Sequence, residues 1–185
     1  MAIKKDFFKN NIIVYVCGED YQKEAIKLIK TAEKKFERIN YITLNKTYNE
    51  LIILFKKEKI DIKKFSFIDA ITNMEMPKTT KNCIYTCSPY MLTEMSIAIT
   101  KDCINHKPEL FIFDSLSSLL VYERGDTLVK FSHSIINFVR AHNTKIAFII
   151  MNKDYNIPVM KDLDMFSDET IYRTIGGKNV KTKKR

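Results

Sequence analysis

The chain has no apolar run near the ~18 residues that a membrane-spanning helix needs. Its opening, MAIKKDFFKN, is too short and too polar ahead of the first apolar stretch to read as a secretory signal. A cytoplasmic protein without a membrane span is the expectation. Cysteine and histidine groupings that hold metals are also missing. Cys83 and Cys87 stand four apart with no second Cys or His pair close by, and Cys17 and Cys103 are isolated. His106, His133 and His142 do not converge, and the nine-residue separation of the last two is not the same-face spacing of a helical metal pair. No metal site is expected, and the four cysteines read as reduced thiols. There is no nucleophile elbow with a Ser-His-Asp order and no H-E-x-x-H, which removes hydrolases of those two types.

What is present is the composition of one globular domain. The 185 residues, 45% hydrophobic and 29% charged, are enough for a single real core and too few for two. The formal charge is +9, and GGKNVKTKKR at Gly176–Arg185 holds more than half of it with no acid. Lys178, Lys181, Lys183, Lys184 and Arg185 then form either a mobile, solvated tail hinged at Gly176-Gly177 or an electrostatic arm for nucleic acid or acidic lipid. Five charges without a stacking aromatic make nucleic-acid binding weak at best.

Along the chain, apolar runs alternate with amphipathic periods. Ile12–Val16 is a buried strand, ending in Cys17-Gly18-Glu19-Asp20. From Tyr21 to about Arg38 the residues Ala25, Ile26, Leu28, Ile29, Ala32 and Phe36 share one side of a helix. Ile39–Leu44 is a second strand, Tyr48–Lys59 a helix, and Phe65–Ile68 a strand that runs into Asp69. Thr72–Asn82 reads as a surface loop around Pro77. Pro89–Asn105 reads as a helix capped by Ser88, with Met91, Leu92, Met95, Ala98 and Ile99 as its buried side. After Glu123-Arg124-Gly125-Asp126, Asp126 can cap a helix with a buried stripe from Leu128 to His142. Lys145–Met151 is the next buried strand and Glu169–Arg173 a last short one.

The centre of this arrangement is ELFIFDSLSSLLVY at Glu109–Tyr122. Leu110–Phe113 suits a strand buried on both faces, which places Asp114 at its carboxyl end. That edge is where open α/β sheets bind ligands, so Asp114 can hold a metal ion or polarise a water, or else simply cap the next turn. Alternating strands and helices with continuous apolar strands call for a parallel sheet covered on both faces.

LFIFDSLSSLL, the following helix, KIAFII and FSDETIYR together resemble the second half of KaiC-like, RecA-type P-loop ATPases. IIVYV, INYITLN and KFSFIDAIT are similar to the first half in element order. The resemblance spans residues 11–175, after a lead-in at 1–10 and before the basic tail at 176–185. It implies a three-layer fold with a mostly parallel central sheet, with Asp114 and Ser115 as the Walker B element. It also implies side-by-side assembly with a protein partner or with a second copy.

The resemblance implies ATP and magnesium as well, held by a G-x-x-x-x-G-K-[ST] turn whose amides and lysine meet the phosphates. From Gly18 this chain reads GEDYQKEA instead, with Lys23 for the second glycine, Glu24 for the lysine and Ala25 for the hydroxyl residue. The acid expected after the second strand is Asn45. On this alignment Gly18, Lys23, Asp114 and Ser115 are what remains of a nucleotide site, with no catalytic residue among them. A non-catalytic interaction module that uses no cofactor is the expectation, and a weak ATP/Mg protein with an unusual loop the alternative.

Overall fold

A computed structural model describes residues 8–72, 78–173 and 180–184. In chain order the elements are β1 (Ile12–Cys17), α1 (Tyr21–Glu33), β2 (Ile39–Thr43), α2 (Tyr48–Lys57), β3 (Phe65–Asp69), β4 (Lys78–Thr79), β5 (Cys83–Tyr85) and α3 (Leu92–His106). There follow β6 (Leu110–Asp114), α4 (Leu116–Leu119), α5 (Gly125–Ala141), β7 (Lys145–Met151), α6 (Pro158–Phe166), β8 (Glu169–Arg173) and β9 (Val180–Lys184). Among the described residues the strands form one nine-stranded sheet in the order β4-β5-β3-β2-β6-β7-β1-β8-β9. Only the outermost pairs, β4 with β5 and β8 with β9, are antiparallel. This is the expected α/β architecture with a mostly parallel sheet.

Strand periodicity divides the core into two. Ile12, Val14 and Val16 of β1 enter one apolar cluster, while Ile13, Tyr15 and Cys17 enter the other. The second cluster takes the stripes of α1 and α2, including Leu28, Ile29 and Phe55. The first takes α3, α5 and α6, including Met95, Ile99, Phe131, Val139 and Leu163. Because β1, β2, β3, β6 and β7 are sandwiched in this way, every residue of the first four is buried; β1 and β6 read as apolar runs for that reason, while β2 and β3 also bury Asn40, Thr43, Ser66 and Asp69.

Several local expectations are corrected. α1 stops at Glu33 rather than near Arg38, because Phe36 folds back edge-on to Phe8 at 5.3 Å and the Glu109 carboxylate takes the Glu37 and Arg38 amides. α3 begins at Leu92, not Pro89, and Ser88 does not cap it; its hydroxyl accepts from the Tyr90 amide in a turn ahead of the helix. Met91 is consequently exposed rather than core. Asp126 lies inside α5, ion-paired with Arg124, and His142 at that helix's end is exposed. The stretch expected as one loop contains β4, and β5 and α6 are further elements that the apolar pattern does not announce. Residues 73–77, including Pro77, lie outside the described residues.

The basic end also differs from the expected mobile tail. Val180–Lys184 pairs along β8 from Arg173↔Val180 to Glu169↔Lys184, so Lys181, Lys183 and Lys184 stand in an edge strand. Lysine suits such an edge because its charge discourages pairing with another chain. Lys178, Arg185 and the Gly176-Gly177 hinge lie outside the described residues.

Candidate functional site at the carboxyl edge of the sheet

β2 and β6 are neighbours, yet the chain leaves them toward opposite faces. α2 packs in one core cluster, whereas Leu116 and Leu119 of α4 pack in the other. The carboxyl ends of two strands whose connections diverge leave a crevice, the usual place for a ligand in such sheets. The register sets Thr43 beside Asp114, and the pairing continues one residue further through the Leu44 amide on the Asp114 carbonyl at 2.7 Å. Asn45 is thereby brought over the end of β6.

Asp114 is 5% exposed and both its carboxyl oxygens are engaged. Tyr41, rising from the middle of β2, donates its hydroxyl to Oδ2. Asn45 donates its amide to Oδ1 at 2.9 Å and to the Tyr21 hydroxyl at 2.7 Å. The Ser118 hydroxyl donates to Asn45 Oδ1, and Ser115 Oγ lies 3.0 Å from Ser118 Oγ. The Asp114–Ser115 peptide bond is cis. Burial pushes the Asp114 carboxyl up to about 8, so at neutral pH it is largely protonated. A protonated carboxyl satisfies the same contacts by donating one hydrogen bond and accepting the other.

Beside this closed network is a cleft of about 390 Å³ bounded by Leu44, Asn45, Ser118, Tyr122, Met151 and Lys153. The Ser117 hydroxyl at its base accepts the Met151 amide at 2.9 Å. Asp69, which ends β3, is consumed locally by the Tyr48, Ile71 and Thr72 amides and the Thr72 hydroxyl at 2.6–2.8 Å, and Asp154 lines the cleft beyond β7.

β7 lies between β1 and β6, so Gly18 and Lys23 follow a strand two places from the one that carries Asp114, although Tyr21, Gln22 and Ala25 of α1 line a small pocket with Asp114. Only Gly18-Glu19-Asp20 separates β1 from α1. The Asp20 carboxylate accepts from the Lys23 amide at 3.2 Å and so caps the helix itself. The Lys23 side chain is exposed to solvent, and Glu24 turns inward to the Tyr15 hydroxyl at 3.1 Å and Lys27 at 2.7 Å. The link between the two halves is Tyr21 in the first turn of α1, through Asn45 to Asp114. Sequence reasoning missed Tyr21, Tyr41 and Ser118. The legible traces were a tyrosine inside a buried strand, whose hydroxyl must find a partner, and the one-turn spacing of Ser115 and Ser118.

A solved structure of a KaiC-like protein from the hyperthermophilic archaeon Pyrococcus horikoshii OT3 superimposes with a TM-score of 0.69 at 12% identity, covering 93% of this chain and 76% of that one. The fold is that of a KaiC-like, RecA-type domain. No protein-family model matches the chain, and no curated protein does. Within this fold, β6 ending in Asp114-Ser115 occupies the central strand position. Among the described residues no helix is long and apolar enough to cross a membrane, and no group of three His, Cys, Asp or Glu side chains is placed to hold a metal ion.

Proposed function

We propose that the protein is a non-catalytic member of the KaiC-like fold, a pseudo-ATPase that works in the cytoplasm as a structural or regulatory interaction module for a protein partner or a second copy. The observation that carries this reading is the three-residue connection from β1 to α1. A phosphate-binding loop wraps its amides around the anion before its helix begins. Here the helix starts directly after Asp20, which fills the amide position a phosphate oxygen would take. Glu19 and Asp20 add negative charge at the same point, and like charges a few ångströms apart repel by about 1–4 kcal/mol near a protein surface. Asp114, covered by Tyr41 and Asn45 and largely protonated, offers no free anionic oxygen to magnesium. These residues do not fit a magnesium triphosphate.

The expected outcome is that phosphate release from ATP or GTP with magnesium stays at the buffer background. Steady turnover that disappears in Asp114→Ala would overturn the reading. The 390 Å³ cleft at the crevice between β2 and β6 favours a second reading, in which a nucleotide or other small molecule is bound weakly through a non-standard loop.

A further inference from the structure

The amino ends of the strands form the opposite edge of the sheet, and charge is distributed there unevenly. Its acids are committed. Glu109 accepts the Glu37 and Arg38 amides at 2.9 and 3.0 Å, and Glu37 pairs with Lys64 at 2.8 Å. Asp168 accepts the Asn11 and Ile12 amides and pairs with Arg140 at 3.3 Å. The exposed cations Lys34, Arg38 and Lys107 have no carboxylate partner among the described residues. Arg38 spends only its Nε–H, on the Lys107 carbonyl at 2.9 Å, which holds these two cations side by side. Burial lowers the pKa of half-buried Lys145 on β7, the positive charge of Lys35 lowers it further, and Asp168 opposes both.

Arg38 and Lys107 border a groove of about 510 Å³ across the ends of β2, β6 and β7, walled by Cys103, Ile104 and Pro108 and floored by Thr144; the acid in its lining, Glu109, has its carboxylate held by the Glu37 and Arg38 amides. Ile104 is 69% exposed. Cations at the ends of α1 and α3 have a structural explanation, since they suit the negative ends of helix dipoles. That explanation does not cover a large aliphatic side chain left in water beside Arg38 and Lys107.

From this juxtaposition we infer that the amino edge of the sheet docks an acidic protein segment carrying one apolar anchor, with the anchor against Ile104 and Pro108 and the carboxylates on Arg38 and Lys107. A protein is favoured over a nucleic acid because the groove wall is aliphatic and offers no free ring on which a base could stack; the one ring lining it, His142, is already stacked on Phe138 with centroids 4.0 Å apart. The inference gives a face to the interaction-module reading and rests on it. Its test contains no ATP or GTP, so failure here and turnover of ATP are separate results.

The test is fluorescence anisotropy of the full chain with a short fluorescein-labelled polyglutamate peptide holding one central leucine, run beside a labelled oligothymidylate. Binding of the leucine peptide is expected, weakening as salt rises because the contacts are exposed and screened. Affinity should fall about tenfold or more in Arg38→Glu/Lys107→Glu, and fall in Ile104→Ser to the level of a peptide with serine in place of leucine. All three side chains are exposed, so an unchanged melting temperature certifies the variants as folded. No peptide binding at low salt, binding indifferent to these substitutions, or preference for the oligothymidylate would each overturn the proposal.

Discussion

Asp114 is the residue at which the chemistry of a nucleotide site and the chemistry of a packed core diverge. An acid whose folded pKa is raised binds more protons in the folded state than in the unfolded state. Its contribution is therefore neutral below the unfolded value near 4, and stability falls as pH rises from there, with the loss complete once pH passes about 8. An amide at this position would mimic the protonated carboxyl, keeping one donor and one acceptor for Tyr41 and Asn45. Asp114→Asn is therefore expected to melt at nearly the same temperature as the parent at pH 4. At pH 9 it should be more stable by an amount on the order of a few kcal/mol. A gap between variant and parent that stays constant from pH 4 to 9 would show that the carboxylate is tolerated there, and would reopen a metal-binding role.

At the scale of elements, α3 shows how a helix without a side-chain cap is held. Its hydrophobic stripe is short, and Asp102 from the same buried face reaches into the sheet. That carboxylate is nearly inaccessible; it accepts from Ser66 Oγ at 2.9 Å and meets His106 Nδ1 at 2.7 Å, while Asn40 of β2 donates to Ser66 at 3.1 Å. Burial pushes the Asp102 carboxyl up against the opposing pull of Ser66 and His106. Asp102→Ala would leave the Ser66 hydroxyl and the Asn40 amide buried with one partner fewer. A loss of about 2–4 kcal/mol in urea unfolding is expected, and a loss under about 1 kcal/mol would mean that water replaces the carboxylate.

Elements differ in how far the sequence announces them, and the reason is burial. β1, β2, β3, β6 and β7 are covered on both faces; β1, β6 and β7 leave continuous apolar signatures that set their place and type, and β2 and β3 leave apolar patterns interrupted by buried Asn40, Thr43 and Ser66. β4 and β5 lie at an edge, the former only Lys78–Thr79, so little apolar patterning marks them. α6 was hidden because its nine residues sit between a short turn and β8, with only Pro158 at its start as a signal. The Ser88-Pro89 pair resembles a helix start because capping chemistry and turn chemistry use the same residues. β9 was hidden by its lysines, which read equally well as a solvated end or a guarded sheet edge.

For the whole molecule, the sheet with helices on both faces was legible from the alternation of runs, as was the place of Asp114 at a carboxyl edge. The closing of that edge was not, because it depends on Tyr41 and Asn45 reaching Asp114 and Ser118. Each of those two contacts, Tyr41 to Asp114 and Asn45 to Ser118, spans 73 positions of sequence, and they meet only through strand register. The missing phosphate loop was legible as residue types, and the fold adds the tightness of the β1–α1 turn. The most direct measurement is the melting temperature of the full chain in magnesium, with and without ATP. A ligand at about 100 times its dissociation constant adds about 2.7 kcal/mol to the folded state, well within detection. The account predicts no shift beyond that of magnesium alone; a magnesium-dependent rise that Asp114→Ala abolishes would contradict it.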